Sequence, residues 1–316
     1  MAVRSFQRKE NRINYHRGTL MLNIIKHYKF WFGVSTALLI ASIISLAIFG
    51  LRFGIDFKGG TVTQLSFAKA PNLDQIKAVV AKDTDGAQIQ SAGTSDVIIK
   101  TKPLEKPEHD KLEADIKAQV GDFTEKSYTS IGPIIGQELR SKAIYQLLLV
   151  ALGIVLYIGY AFRKVTKPIT AWKFGWAAVI ALVHDLFIVV GLFSILGHFF
   201  KVEIDSLFVT ALLTVLGFSV HDTIVVFDRI RENLRTEAGQ PIDYIVNHSI
   251  NQTIVRSLNT SLTVLFVLLS LLLFGGVTIR YFVLALFIGI IAGTYSSIFI
   301  ASPILVIWER WQSKRA

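Results

Sequence analysis

The residues of this sequence best placed to do chemistry are ionisable groups inside long apolar runs. His184-Asp185 falls near the middle of one run, His221-Asp222 well inside the next, and Arg256 opens a third. A charged side chain in hydrocarbon costs at least ~2.5–3.5 kcal/mol on insertion scales, so it is retained where it faces protein or a hydrated path. Asp222 and Arg256 at related depths allow two arrangements. In one, Asp222 takes up and releases a proton under the control of Arg256, with His184, Asp185 and His221 as further relay or lining groups. In the other, Asp222 and Arg256 form a static buried pair that locks two helices together, and the histidines are packing residues. Ser257, Asn259, Thr260, Ser261 and Thr263 follow Arg256 and are able to bond across helices or to line a hydrated path. Asp228 and Arg229 read as a solvated helix end.

Such groups need helices to hold them. The chain has 316 residues, 52% of them hydrophobic, more than a soluble domain buries in a core of its own. Six runs are long enough to cross ~30 Å of hydrocarbon as helices: Phe30–Leu51, Ala143–Phe162, Phe174–Leu196, Ser206–Phe227, Ser257–Phe274 and Tyr281–Trp308. The first is too long for the apolar core of a signal peptide and has no A-x-A-like site after it, so it reads as an uncleaved anchor. Gly289 and Gly293 in the sixth have small-x-x-x-small spacing, which permits close helix contact but is common by chance.

Lys and Arg are distributed unevenly among the connections. Arg4, Arg8, Lys9, Arg12, Arg17, Lys26 and Lys29 precede the first run; Arg163, Lys164, Lys167 and Lys173 follow the second; Arg229, Arg231, Arg235 and Arg256 lie between the fourth and fifth; Arg310, Lys314 and Arg315 end the chain. The other connections carry Lys201 and Arg280. Positively charged segments resist translocation, so both termini are expected in the cytoplasm and Arg52–Lys142 outside it. The expected organisation is a basic segment 1–29, a first span 30–51, an exported domain 52–142, further spans within 143–308 and a tail 309–316. Pro241–Arg256, part of a cytoplasmic segment 228–256, puts Ile242, Ile245, Val246, Ile250 and Ile254 on one side, which suits a helix on the membrane surface or one packed on protein.

The exported segment alternates as a folded domain does. Thr61–Phe67 reads as a strand, Asn72–Lys82 as an amphipathic helix, Ala87–Ser91 and Val97–Thr101 as strands around Gly93-Thr94, Glu108–Val120 as a helix and Phe123–Ile131 as a strand. That order matches a ferredoxin-like α+β domain inserted between the first two spans of a polytopic α-helical membrane protein. Before it, Gly54-Ile55-Asp56-Phe57-Lys58-Gly59-Gly60 predicts a strained turn; it lacks the G-x-x-x-x-G-K-[ST] spacing of a phosphate loop.

Several chemistries are excluded or unsupported. The chain has no cysteine, so a disulfide, a Cys-type zinc site and a thiol nucleophile are ruled out. The net charge of +10 does not form a basic stripe interleaved with aromatics, and nucleic acid is not an expected partner. No Ser-His-Asp set, H-E-x-x-H or paired catalytic carboxylates emerges, so the expectation is a transport subunit without a catalytic site, metal or organic cofactor, with protons as coupling ion. The sequons at Asn247, Asn251 and Asn259 fall on cytoplasmic or buried positions and are discounted.

GIDFKGG at Gly54–Gly60, GFSVHDTIVVFDRIREN at Gly217–Asn233, QTIVRSLNTS at Gln252–Ser261 and FGGV at Phe274–Val277 together resemble the SecF branch of the SecD/SecF family, within the resistance-nodulation-division superfamily. The match spans nearly the whole chain. The resemblance implies a six-helix half that completes a pseudo-two-fold unit with a SecD-type partner beside the Sec protein-conducting channel, using proton flow to pull exported, unfolded polypeptide outward after the ATPase SecA has driven it in. It makes Asp222 the family's helix-four carboxylate and Arg256 its helix-five arginine, both implicated in proton movement, while His221 stands where other members carry different residues. Gly54, Asp56, Gly59 and Gly60 carry the family's glycine motif. A half-size exporter of a small molecule or lipid, and a non-transporting assembly subunit with Asp222–Arg256 as a latch, are the competing readings.

Overall fold

The computed structural model describes residues 22–84, 86–163 and 169–313. The basic residues before Leu22, Lys164, Lys167 and the end of the tail lie outside the described residues. A first helix, α1 (Tyr28–Phe49), leads into a single helical turn, α2 (Ile55–Lys58). An α/β unit follows: β1 (Gly60–Phe67), α3 (Leu73–Asp83), β2 (Gln88–Ser91), β3 (Asp96–Thr101), α4 (Lys106–Gln119) and β4 (Phe123–Ile131). The remainder is helical: α5 (Pro133–Ala161), α6 (Ala171–Phe200), α7 (Ser206–Thr236), α8 (Ile242–Phe274), α9 (Arg280–Ser296), a π turn at Ser297–Ala301, and α10 (Ser302–Ser313). Six helical stretches among the described residues are long and apolar enough to cross a membrane, with α9, the π turn and α10 together making the sixth. Leu148, Leu149, Leu152 and Leu156 of α5 and Phe266 of α8 are exposed, as lipid-facing side chains are.

The four strands pair antiparallel in the order β2-β3-β1-β4. Alternation along β1 and β3 turns Leu65, Phe67, Val97 and Ile99 to one face, where Ile76, Val79 and Val80 of α3 and Leu112 and Ile116 of α4 cover them. Both helices start on side-chain caps. Asn72 accepts from the Asp74 amide at 2.9 Å, and Glu108 reaches back to the Glu105 amide at 3.0 Å. Asp96 of β3 accepts from Lys126 of β4 at 2.7 Å and from Ser66 of β1 at 2.6 Å, a polar tie across the other face.

Three features differ from the sequence expectation, two of them because helix propagates where polar residues continue the pattern. α5 begins at Pro133, so residues 133–142 are the first turns of the second span rather than part of the inserted domain. The segment 228–256 is not a separate surface helix: its first part is the end of α7 and its second the start of α8, which runs from Ile242 to Phe274 without an interior Gly or Pro. Val246 and Ile250 are fully buried against protein instead of facing lipid. The glycine-rich turn contains one full helical turn, α2, and its strain is confined to Gly59 and Gly60, with φ of 81° and 151°.

The bundle has two distinct ends. At one, the connection between α6 and α7 meets the α/β unit: Gly54 N donates to Ile204 O at 2.8 Å and Lys100 pairs with Glu203 at 2.6 Å. At the other, the chain entering α1 meets the start of α8, where Asn251 Oδ1 accepts from the Leu22 amide at 2.9 Å.

Candidate functional site

Asp185 of α6 is fully buried where α6, α7 and α9 meet. Its Oδ1 lies 3.0 Å from Nδ1 of His184, and its Oδ2 accepts from Ser219 of α7 at 2.7 Å and from Ser296 of α9 at 2.8 Å. A buried carboxylate held by hydroxyls from two neighbouring helices is satisfied without an opposing cation. The crossing of α7 and α9 makes this possible. A Cβ on Gly293 would stand 2.8 Å from Ser219 Cβ, so only glycine lets the backbones approach closely enough for both serines to reach Asp185.

The hydroxyl cluster continues one turn further along α7. Thr223 Oγ1 lies 2.7 Å from Ser297 Oγ, which donates to Gly293 O at 2.8 Å. Ser297 opens the π turn, and Pro303 just beyond it lacks the amide that would continue the α-helical ladder. The irregular backbone of the sixth span thus lies directly beside the polar cluster. Ser219, Thr223, Ser296 and Ser297 were not singled out from sequence. Their only signal there was a hydroxyl in an apolar run, which most transmembrane helices show.

Asp222 is buried at 6% exposure, one turn along α7 from Ser219, and its Oδ2 has no hydrogen-bond partner among the described residues. The Ser257 hydroxyl of α8 approaches it. The approach falls short of a hydrogen bond, and that oxygen too is buried without a partner. The expected pairing of Asp222 with Arg256 does not form: no ion pair joins them among the described residues, and Arg256 is exposed. Helix geometry supplies the reason, since adjacent residues project about 100° apart and the register that turns Ser257 inward turns Arg256 out. His221, Asn259 and Thr260 are exposed as well. The structure brings together His184 and Asp185 on α6, places Asp222 on α7 one turn from Ser219, and leaves Arg256, His221, Asn259 and Thr260 on the outer surface of the bundle.

The glycine motif anchors the α/β unit to two spans. A Cβ on Gly59 would stand 2.9 Å from the Pro133 backbone, and φ of 81° disfavours any other residue there. Asp56 Oδ2 accepts from the Ser206 amide at 2.8 Å and from the Ser206 hydroxyl. Asp205 adds its own cap to the Phe208 amide at 2.9 Å, with burial holding its carboxyl above the usual range. Two carboxylates therefore cap the helix that carries Ser219 and Asp222.

Residues 111–311 match the family described as protein export membrane protein SecD/SecF, C-terminal, and residues 44–71 match the SecD/SecF GG motif. The protein translocase subunit SecF of Thermobaculum terrenum is 48% identical over 302 residues, covering 92% of this chain and 94% of that one. That of Anaerolinea thermophila is 41% identical over 295 residues, covering 92% and 94%. Among solved structures, SecDF, a translocon-associated membrane protein from Thermus thermophilus, superposes with a TM-score of 0.79 at 35% identity, over 92% of this chain and 39% of its own. SecDF in a super-membrane-facing form gives 0.69 at 33% identity, over 94% and 40%. The chain spans about two fifths of those SecDF chains and nearly the full length of the SecF relatives. With six spans, a glycine motif locked between two of them and this extent of likeness, the chain belongs to the SecD/SecF family of protein-export membrane proteins.

Proposed function

We propose that this chain is the SecF-like subunit of a Sec protein-export machinery and couples the proton-motive force to late steps of polypeptide translocation across the cytoplasmic membrane. The observation that carries the proton-coupling reading is Asp222, buried inside a span with one carboxylate oxygen that has no hydrogen-bond partner among the described residues. An open lone pair on a buried carboxylate is where a proton adds, and the alternative of a static Asp222–Arg256 latch lacks the contact it requires. Protons are the coupling ion in this reading, and no cofactor or catalytic site enters it.

The partner follows from the same geometry. Arg256 and Asn259 of α8 are exposed, as are Val255, Leu258 and Leu262 of the same helix and His221 of α7, and an arginine there is costly against lipid. A SecD-type half covering these residues would enclose Arg256 and complete a proton path with Asp222. The channel, the moving polypeptide and SecA acting through the channel complete the assembly. The strand order β2-β3-β1-β4 with helices after β1 and β3 supports a ferredoxin-like reading of the inserted domain, placed outside the cytoplasm with both termini inside.

The test is export into energised vesicles, comparing ATP alone with ATP plus a proton gradient. Asp222→Asn keeps the shape and removes the titration, so it is expected to abolish the gradient-dependent gain while still assembling with the SecD-type subunit. One proton crossing the full potential yields about 2.3 kcal/mol per 100 mV, enough to shift a coupled equilibrium tens-fold. Full retention of the gain with normal assembly would refute the relay.

A further inference from the structure

His109 and Glu113 stand four residues apart on α4, the spacing that stacks two side chains on one helix face. The His109 ring packs against Tyr128 of β4 with ring centroids 4.1 Å apart and is 4% exposed. Its Nε2 is buried with no hydrogen-bond partner, and so is Oε1 of Glu113, 4.0 Å away. Glu125 of β4 brings a third group, and one ligand atom from each of the three lies within 4.8 Å of the other two. Atoms buried and unmatched in this way are destabilising until something satisfies them.

The nearby lysines are engaged elsewhere: Lys111 with Asp83 at 2.7 Å, Lys117 with Asp122 at 3.2 Å and Lys126 with Asp96 at 2.7 Å. Two carboxylates and an imidazole therefore converge, with no lysine or arginine ion-paired to them among the described residues. The other ring nitrogen, Nδ1, faces the Asp110 carboxylate at 3.7 Å, so Nε2 is the nitrogen turned toward Glu113.

We propose that His109, Glu113 and Glu125 bind a divalent transition-metal cation of the Zn2+ class that clamps α4 to β4. An imidazole with two carboxylates is a recurrent zinc donor set, whereas Mg2+ and Ca2+ take oxygen ligands alone. Bonds of about 2.0–2.2 Å require the three atoms, within 4.8 Å of one another here, to draw together around the ion, which rotations of the half-buried Glu113 and the exposed Glu125 supply, and water from the exposed side fills the fourth position. The clamp has a mechanical role in this fold. β4 is an edge strand bonded to β1 alone, and the metal would tie that edge to the helix layer. The ligands were not read as a site from sequence because Glu125 joins His109 and Glu113 only through the fold.

The test uses the full chain purified in detergent, stripped with chelator and titrated with Zn2+, with Mg2+ and Ca2+ as controls. One equivalent is expected to bind, with one imidazole among its ligands by X-ray absorption, and to slow hydrogen exchange of β4 amides. His109→Gln and Glu125→Gln are each expected to weaken binding about tenfold or more; Glu125 is exposed, so its replacement leaves folding intact. No stoichiometric binding, or equal binding by wild type and Glu125→Gln, overturns the proposal.

Discussion

Asp56 and Ser206, far apart in sequence, meet at the head of the fourth span, where the Asp56 carboxylate receives both the amide and the hydroxyl of Ser206. The contact satisfies one of the free amides of the first helical turn and sets a negative charge at the positive end of the helix dipole. It also gives the inserted domain a direct hold on the helix that carries Ser219 and Asp222. A movement of either is transmitted to the other through this cap.

Asp56→Ala should cost about 0.5–2 kcal/mol, the usual loss for a helix cap, and raise hydrogen exchange at the first amides of α7. Asp56→Asn keeps an acceptor and should recover most of the protection. Unchanged exchange in Asp56→Ala would show that Asp205 alone caps the helix.

At the polar cluster, Ser219→Ala removes one of two hydroxyl donors to Asp185 Oδ2 and should destabilise the protein by about 1–3 kcal/mol. Ser219→Ala combined with Ser296→Ala should depart from the sum of the two single effects, since both serve the same oxygen. Thermal unfolding in detergent reads the cycle, and strict additivity would mean the two serines act independently.

Acid should loosen the sheet through Asp96. Hydrogen bonds from Lys126 and Ser66 hold its carboxyl below the usual range, so its stabilising contribution is present above the unfolded-state value and is lost as pH falls through the folded-state value. Asp96→Asn should lack that part of the acid dependence. The check is exchange of the β1 and β3 amides in both proteins at matched pH, where equal acid sensitivity would remove Asp96 as its source.

Sidedness can be read with single cysteines, because the chain has none of its own. A cysteine at Thr94, exposed in the β2–β3 connection, should react with an impermeant thiol reagent from outside the cell, and one at Thr236 only once the cytoplasm is opened. The reverse pattern would invert the topology inferred from Lys and Arg.

Six apolar runs, the strand and helix order between the first two, and the charges out of place inside the runs were all legible in the linear sequence, because hydrophobic length and period are local properties. The glycine motif was legible as a conformational demand, although the one-turn helix inside it was not. Rotation and contact were not legible at all. Which way a helical side chain points depends on packing against other helices, and one residue of register separates the buried Ser257 from the exposed Arg256. The pairing of Asp222 with Arg256 failed on that 100° step, while Asp185 gained its partners from Ser219 and Ser296, residues with no ionisable group to draw attention. Depth in the membrane follows from counting along the chain; the company a side chain keeps at that depth is decided by the tertiary structure, through glycines such as Gly293 that set how closely two helices can cross.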